Sequence, residues 1–473
     1  MNRTVNLQNR ARRSVLTVTL IVLLVVLPVV GVFALDWGGS LTTTSSIQSL
    51  PEDSDDNIFS NTERLTFYLN TALGTKYRLE SQAAARFDAD PLLFAADIER
   101  LYLERVRRPA QGNLNEFVTR AGRQTITDPS GMVVRQTVDG VTAIVRYPRI
   151  EVGLAAGYTG LVNKEFTGAS MSLRDSLDAG DDDVYFGPAR LVGQGRVTMS
   201  NLFAGQSVRL AFTFQEDLRD PDDVIQAGDD PGQLGQDVDP GGLLDTQYIQ
   251  LLLDGPIPVG GMPGQIFYQA GYILNLGRTL SLVEDDKSQS GESYQYKPIR
   301  AHLARLQLQY FLPSFLSTAA GLGVTFSSGD DGYSSFTEGN TGDVSTMFTP
   351  VTPGAAGTVF GLEYGNTTVI EVFYSMRPLE RLHSPFLNTM QVQVAGYSFF
   401  RSVGEGPVSA PDVDPGTDES YLGTEVDLAL RFRPFSDLGF GLSTGVFFAN
   451  DDAMFDGTNS VDYLVRLDAS LSF

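Results

Sequence analysis

Strict alternation of apolar and polar residues marks the end of the chain, from Val461 to Phe473. One set of alternate positions carries Tyr463, Val465, Leu467, Ala469, Leu471 and Phe473. The intervening positions are polar or charged, except for Leu464. A period of two residues indicates a β-strand with unlike faces, and this one is longer than the roughly 9–11 residues that a tilted strand needs to cross a bilayer. The aromatic residues at both ends of the apolar face are typical of a membrane-spanning strand.

The same alternation recurs in three earlier segments, at 208–215, 424–433 and 438–448. In each segment one face is apolar, and the other is small, polar or charged. This is the pattern of a sheet with lipid outside and water inside, and a mean hydropathy of -0.05 is compatible with it because only every second strand residue faces lipid. The sequence therefore predicts an all-β fold, a transmembrane antiparallel β-barrel.

The connections between these strands alternate in length. Short links stand at Leu73-Gly74, Tyr147-Pro148, Pro313-Ser314 and Pro434-Phe435. The long segments are rich in Asp, Gly, Pro and Ser, and they are Pro51–Asn61, Thr125–Thr137, Leu161–Asp183, Glu216–Leu243, Gly277–Glu292, Ser328–Gly365, Ser402–Ser420 and Asn450–Ser460. Outer-membrane barrels have short periplasmic turns and long external loops, and counting between the breaks gives about 18 strands (16–18). The predicted first strand is Leu35–Gln48, which must pair with the last strand to close the barrel.

The N-terminus resembles a targeting segment. Arg3, Arg10, Arg12 and Arg13 precede an apolar run from Leu16 to Phe33, and Val32-Phe33-Ala34 fits a cleavage site. We expect residues 1–34 to be a cleaved signal peptide and residues 35–473 to form a single barrel domain. The alternative is an uncleaved inner-membrane anchor that carries a soluble periplasmic β-domain.

Composition excludes several function classes. The net charge of -23 argues against nucleic acid as a partner. The chain has no cysteine and two histidines, His302 and His383, neither with a serine or carboxylate partner at motif spacing, so we expect no enzyme and no cofactor. Calcium binding in the acidic loops is an open alternative, because Asp181 to Asp183, Asp220 to Asp223, Asp229-Asp230 and Asp451-Asp452 offer oxygen ligands.

Two patches resemble the alginate-export family of outer-membrane barrels. The first comprises Leu101 to Glu104, Phe117 to Gln124 and Asp139 to Val141, and the second comprises Leu422 to Asp427 and Gly445 to Phe448. The resemblance implies a monomeric 18-stranded barrel for passive export or diffusion, with an arginine-lined constriction. It also implies that barrel-assembly machinery reads the terminal Phe473 as an assembly signal. A loop containing Asp128 to Gly131 departs from the family pattern, which has a tryptophan there.

Alternation assigns a set of charged residues to the inside of the barrel. The basic candidates for pore lining and solute binding are Arg64, Arg78, Arg120, Arg209, Arg305, Arg431, Arg433 and Arg466. The resemblance to the alginate-export family implies that Arg123 is a further candidate. The acidic candidates are Glu80, Glu151, Glu371, Glu425, Asp427 and Asp468. Arg123 has the opposite parity to Arg120, so one of the two is expected at a rim or in a bulge. These charges could form a constriction that selects solutes by its transverse field, or they could pair across strands and brace the wall.

We therefore expect a porin-like channel in the outer membrane of a diderm bacterium, for passive diffusion or export of small polar or charged solutes. Its expected partners are outer-membrane lipid and barrel-assembly machinery, and its oligomeric state is left open, with a monomer favoured. Two alternatives remain: an alginate-like polysaccharide export channel, and a structural or adhesion barrel whose lumen is plugged. The loop Ser328–Gly365 is long enough to fold inward and form such a plug.

Overall fold

The computed structural model describes residues 35–49, 57–89, 92–168, 171–181, 183–219, 227–228, 244–332, 343–384, 386–410, 412–455, 458 and 460–473. The predicted signal peptide, residues 1–34, and most of the acidic segment 216–239 lie outside the described residues. None of the described helices is long and apolar enough to cross a membrane.

Eighteen antiparallel strands form one closed sheet, in which each strand pairs with its neighbours in sequence. The first nine are β1 (Leu35–Ser49), β2 (Asn57–Leu73), β3 (Tyr77–Asp88), β4 (Leu93–Arg107), β5 (Glu116–Thr127), β6 (Arg135–Arg146), β7 (Ile150–Tyr158), β8 (Arg190–Met199) and β9 (Ser207–Asp217). The next four are β10 (Leu244–Ile257), β11 (Gln265–Glu284), β12 (Glu292–Leu312) and β13 (Thr318–Ser327). A separate hairpin of β14 (Ala355–Ala356) and β15 (Leu362–Glu363) lies in the following loop. The last five strands of the barrel are β16 (Thr367–Met376), β17 (Gln391–Arg401), β18 (Tyr421–Phe432), β19 (Leu438–Ala449) and β20 (Val461–Ser472).

The barrel closes where the sequence predicted. Strand β20 pairs antiparallel with β1, with Ser472 opposite Ser40. The Phe473 N–H donates to the Gly39 carbonyl oxygen at 3.0 Å, and the Gly39 N–H donates to the Phe473 carbonyl oxygen at 2.9 Å. A Cβ on Gly39 would lie 2.6 Å from the Phe473 ring, so glycine is needed for this close approach. The pairing removes both free edges of the sheet.

The connections alternate between the two rims, as expected for a transmembrane barrel. The four short links of the sequence analysis are turns between strands, and the loops at 328–366 and 402–420 lie on the opposite rim. The predicted loop Gly277–Glu292 is wrong in its first half, because β11 continues to Glu284. Gly277 has a φ of +140°, and a Cβ there would lie 2.0 Å from the Asp245 carbonyl oxygen. The glycine marks close contact between strands and not the end of one.

The outward face of the barrel is apolar. Val141, Leu154, Val426 and Leu467 are each 47–62% exposed, and they lie on the face opposite the charged residues described below. In the alternating segments of β9, β18, β19 and β20, the residues predicted to face lipid are on this outward face. The fold class predicted from alternation is thus confirmed.

Two apolar clusters fill part of the inside near the rim with the long loops. The first combines wall residues with loop residues and includes Val133, Val134, Val138, Met171, Tyr248, Ile273, Leu303, Phe348 and Val351. The second includes Ala356, Val359, Leu362, Phe399, Val408, Leu422, Phe447, Met454 and Leu464. The loops that contribute to these clusters therefore fold into the barrel and pack on its inner wall. Leu464, the exception in the alternation of β20, is 4% exposed because it lies under these loops.

Candidate functional site: a charged lumen and its inward-folded loops

Ion pairs cover the inner wall from β2 to β10. Arg120 contacts Glu104 at 2.8 Å, and Arg78 lies 3.5 Å from Glu80 on the same strand. Arg64 pairs with Glu99, and Arg209 pairs with Asp254. Glu151 accepts from two arginines, Arg146 at 2.8 Å and Arg196 at 3.2 Å. Most of these pairs join neighbouring strands. On this wall the charges therefore stabilise strand pairing, which is the second of the two roles considered for them in the sequence analysis.

A β-bulge explains why Glu99 takes part in this network. In the pairing of β3 with β4, Gln82 lies opposite Arg100 and the next residue, Ala83, lies opposite Ile98. Glu99 is therefore the extra residue of the bulge. Its carboxylate accepts from Gln82 at 2.8 Å as well as from Arg64. Strict alternation from Tyr102 would have placed Glu99 on the outward face, and this is why the sequence did not indicate it.

The wall from β12 to β20 differs, because its charges are left without ionic partners. Arg305, Arg431 and Arg466 make no ion pair with any described residue, and neither does Glu371. The Arg305 Nε is buried without a hydrogen-bond partner among the described residues. Asp468 accepts a hydrogen bond from the Thr44 hydroxyl at 2.7 Å. These residues lie on the inner face of the wall, and their role in solute binding stays a prediction.

Arg123 serves as an anchor for a loop. Its Nη1 donates to Asp97 at 2.7 Å, and its Nη2 donates to Asp139 at 2.9 Å and to the Leu161 carbonyl oxygen at 2.7 Å. The side chain is 13% exposed. Between Arg120 and Arg123 stands Gly122 with a φ of +125°, a distortion of the kind that the opposite parities predicted. Because its donors are used within the protein, Arg123 is not the free pore-lining cation that the resemblance implied.

The alternation placed Arg433 on the inner face of a strand, but the structure places it in a turn. Strand β18 ends at Phe432, and Arg433 lies in the turn that follows. Its backbone N–H donates to the Thr389 hydroxyl at 3.2 Å and not to a neighbouring strand. Pro434 cannot donate to a strand ladder, which explains why the strand stops there. The prediction that Arg433 lines the constriction is therefore wrong, whereas Arg431 lies within the strand.

Glu425 and Asp427 hold a loop and do not face open lumen. The Glu425 carboxylate is fully buried and accepts from three consecutive backbone N–H groups, those of Thr358, Val359 at 2.9 Å and Phe360 at 3.0 Å. The Thr358 hydroxyl donates to Asp427 at 2.5 Å. The sequence analysis expected partners on adjacent strands for this pair. The partners are instead the backbone of the loop 328–366, which no periodicity reveals.

Other contacts bring the loops deep into the barrel. The Tyr248 hydroxyl, fully buried on β10, donates to the Thr349 carbonyl oxygen at 2.5 Å. Arg209 Nη1 donates to the Pro129 carbonyl oxygen at 3.2 Å. The ring of Phe166, in the loop after β7, lies 6.0 Å from the Arg64 guanidinium. Three different loops therefore narrow the lumen.

A buried charge cluster fixes the base of the loop 159–189. Helix α1 (Leu173–Gly180) carries Asp175, whose carboxylate accepts from Arg190 at 2.7 Å. Arg190 also lies 3.4 Å from Asp217, and Arg219 lies 3.1 Å from Asp175. Arg190, Asp175 and Asp217 have side chains at most 1% exposed. Desolvation lowers the pKa of Arg219, but its carboxylate neighbours outweigh this and leave the pKa above its ordinary value.

His302 and the acidic side chains were the sequence candidates for catalysis and metal binding. His302 lies on the outward face between Tyr272 and Phe326, with ring centroids at 6.2 Å and 5.5 Å. Within the described residues, no group of three or more His, Asp or Glu side chains could hold a metal ion. Most of the acidic segment 216–239 lies outside those residues, so calcium binding there stays a prediction.

No protein-family model matches the chain, and no curated protein matches it. Several solved structures are similar to it over most of its length. Pseudomonas aeruginosa OccK5 (OpdH) is 12% identical with a TM-score of 0.51, covering 93% of this chain and 98% of that chain. OccK3 (OpdO) of the same organism is 10% identical with a TM-score of 0.54, covering 93% and 96%. OprD of the same organism is 12% identical with a TM-score of 0.52, covering 93% and 95%.

These neighbours are OprD/Occ outer-membrane porins. At such low identity the likeness shows the fold, an 18-stranded barrel that agrees with the predicted strand number and with the predicted outer-membrane location. The alginate-export family, which the sequence patches resembled, finds no support in the comparisons.

Proposed function

We propose that this chain forms a passive channel in an outer membrane and that it passes small polar or charged solutes. The observation that carries the proposal is the uneven distribution of charge inside the barrel. Most inward arginines between β2 and β10 are neutralised by Asp or Glu, with Arg100 as an exception, whereas Arg305, Arg431 and Arg466 between β12 and β20 have no ionic partner among the described residues. The barrel fold shared with known porins supports the same proposal.

Unpaired arginines inside a channel have a chemical consequence. A guanidinium offers several N–H donors to carboxylate or phosphate oxygens, and inside a narrow lumen its charge is less screened than on an open surface. Glu371 and Asp468 on the same wall supply the opposite charge. Together these groups would orient a small solute that carries an anionic group, and would slow the passage of cations.

The polysaccharide-export alternative is weaker on physical grounds. An anionic polymer needs a continuous wide path with clear net positive charge. The inward-folded loops narrow the lumen, and the ion pairs from β2 to β10 remove most of the positive charge from that wall.

A plugged structural barrel remains the second candidate, because one observation favours it. The loop 328–366 packs its apolar residues against the wall and hydrogen-bonds Glu425 with three N–H groups. If this loop closed the lumen completely, the wild-type barrel would conduct no ions.

Single-channel recording in planar bilayers separates the two candidates. The passive-channel proposal expects discrete conductance steps from the refolded wild type. A variant in which residues 346–361 are replaced by a short Gly-Ser linker should conduct more. Conductance from the linker variant alone would establish the plug, and no conductance from either folded protein would refute the channel.

A further inference from the structure

The outer surface of the barrel carries an apolar groove that the proposed channel does not use. It has a volume of about 720 Å³ and crosses strands β3 to β9. Small residues form its floor, among them Ala121, Ala143, Ala156 and Gly195. Large side chains flank the floor, among them Leu103, Leu154, Phe212 and Phe214. The volume lies within the range of about 300–1,000 Å³ that is common for small-molecule sites.

Strand register places this groove on the lipid-facing side. Val141 and Leu154, which line it, are 58% and 62% exposed. Val141 pairs with Ala121, Leu154 pairs with Ala143, and Phe212 pairs with Gly195. Residues directly opposite each other point to the same face of a sheet. The floor and its flanks are therefore a depression in the apolar outer wall, and its Arg105 end lies near the short turn that follows β4.

One end of the groove carries a cation. Arg105 lines the groove two residues before the end of β4, and its guanidinium lies 5.7 Å from the ring of Tyr77. Arg107, on the same face, is exposed at the last position of β4. Neither arginine has an ion-pair partner among the described residues. In a chain with a net charge of -23, two unpaired arginines beside an apolar groove on the outer face call for an anionic partner.

We propose that the groove binds an anionic phospholipid of the periplasmic leaflet. One acyl chain would occupy the floor between Leu103 and Phe214, and the phosphate would accept hydrogen bonds from Arg105, with Arg107 adding positive charge. An acyl chain fills an apolar depression that bulk lipid would otherwise leave loosely packed, and guanidinium–phosphate hydrogen bonds are among the stronger ones in proteins. The proposal requires the barrel in a bilayer and does not depend on what the channel passes.

A second copy of the chain fits this surface less well. A twofold interface would place the same patch on both partners. Two concave floors facing each other would leave a void, and the Arg105 side chains of the two copies would add like charge at one interface. Charge complementarity therefore favours the phospholipid over a second copy.

Native mass spectrometry of the folded protein in mild detergent tests the proposal, with phosphatidylglycerol as the anionic probe and phosphatidylcholine as the neutral one. We expect wild type to retain phosphatidylglycerol preferentially. Arg105→Gln should weaken that binding about tenfold, equivalent to about 1.4 kcal/mol. Ala143→Leu, which fills the floor, should weaken binding of both lipids. Arg100→Gln is the matched control, because Arg100 lies on the same strand opposite the inward-facing Gln82.

Equal phosphatidylglycerol retention by wild type, Arg105→Gln and Arg100→Gln would overturn the headgroup contact. Unchanged lipid binding by folded Ala143→Leu would overturn the acyl site. If wild type forms dimers without retained lipid, and Ala143→Leu dissociates these dimers, the groove binds a second copy and the proposal is refuted.

Discussion

Glu425→Gln tests whether the loop 328–366 is held by a single carboxylate. In the wild type, Oε1 of Glu425 accepts from the N–H groups of Thr358 and Val359, and Oε2 accepts from Phe360. Glutamine keeps one oxygen and replaces the other with an NH2 group. At least one backbone N–H then faces a donor inside a fully buried site.

The expected magnitude follows from that lost acceptor. A buried donor left without a partner costs about 1–3 kcal/mol, and each 1.4 kcal/mol changes an equilibrium tenfold. The population of the detached loop should therefore rise roughly 5- to 150-fold. We expect faster amide hydrogen exchange at residues 358–360 and more frequent transitions between conductance levels.

The matched control is Glu371→Gln. Glu371 lies on the same inner wall two strands away but has no hydrogen-bond partner among the described residues. It should leave hydrogen exchange at residues 358–360 unchanged. If Glu425→Gln exchanges as slowly as Glu371→Gln at those amides, the carboxylate does not hold the loop and the reasoning fails.

Three further predictions concern other parts of the molecule. Arg190→Met leaves two buried carboxylates with fewer partners and should destabilise the loop 159–189 by about 3–5 kcal/mol, seen as faster proteolysis there; equal resistance would contradict it. Burial raises the pKa of Glu363. Its ionisation therefore destabilises the folded loop progressively as the pH rises above the pKa that Glu363 has in the unfolded chain. Glu363→Gln should remove this pH dependence from hydrogen exchange near 363, and an unaltered pH profile would count against it. Deleting Phe473 should lower the amount of barrel in the outer membrane while export continues; undiminished levels would refute its role in assembly.

Alternation predicted the strands where the wall has unlike faces. From Thr424 to Phe432 the outward positions were read correctly because water and lipid impose opposite preferences on successive residues. The seam followed from the same logic, since an open β1 or β20 would leave unpaired backbone groups in lipid.

The inward folding of the loops was only hinted at by the sequence. Val133, Val134, Phe348 and Leu362 are apolar residues inside segments that otherwise have loop composition, and all four are fully buried. Inward positions such as Leu464 break the polar pattern because they pack against such residues. An apolar residue in a loop, together with an apolar residue at an inward strand position, is the sequence signal that could have predicted the inward folding. The pairing between the two depends on tertiary packing, which periodicity does not encode.

The ion pairs depend on the register between neighbouring strands, and the sequence alone did not predict this register. Bulges shift it by one residue, as at Glu99, and distorted glycines such as Gly122 redirect the neighbouring side chains. For that reason Arg64 and Arg120 could be assigned to the inner face, but their partners could not be named. Arg433 was misjudged because alternation was extended past the end of β18, and the role implied for Arg123 came from the family resemblance and not from its position in the strand.

The reversal potential across a salt gradient reports the charge that permeating ions meet inside the barrel, and it therefore shows whether the unpaired arginines line the path. We compare wild type with the triple variant Arg305→Gln, Arg431→Gln and Arg466→Gln, and use Arg300→Gln, an exposed residue on the outward face of β12, as the control. We expect a clear shift of the triple variant toward cation selectivity and little shift in the control. A triple variant with the reversal potential of wild type would contradict the claim that these unpaired arginines line the path.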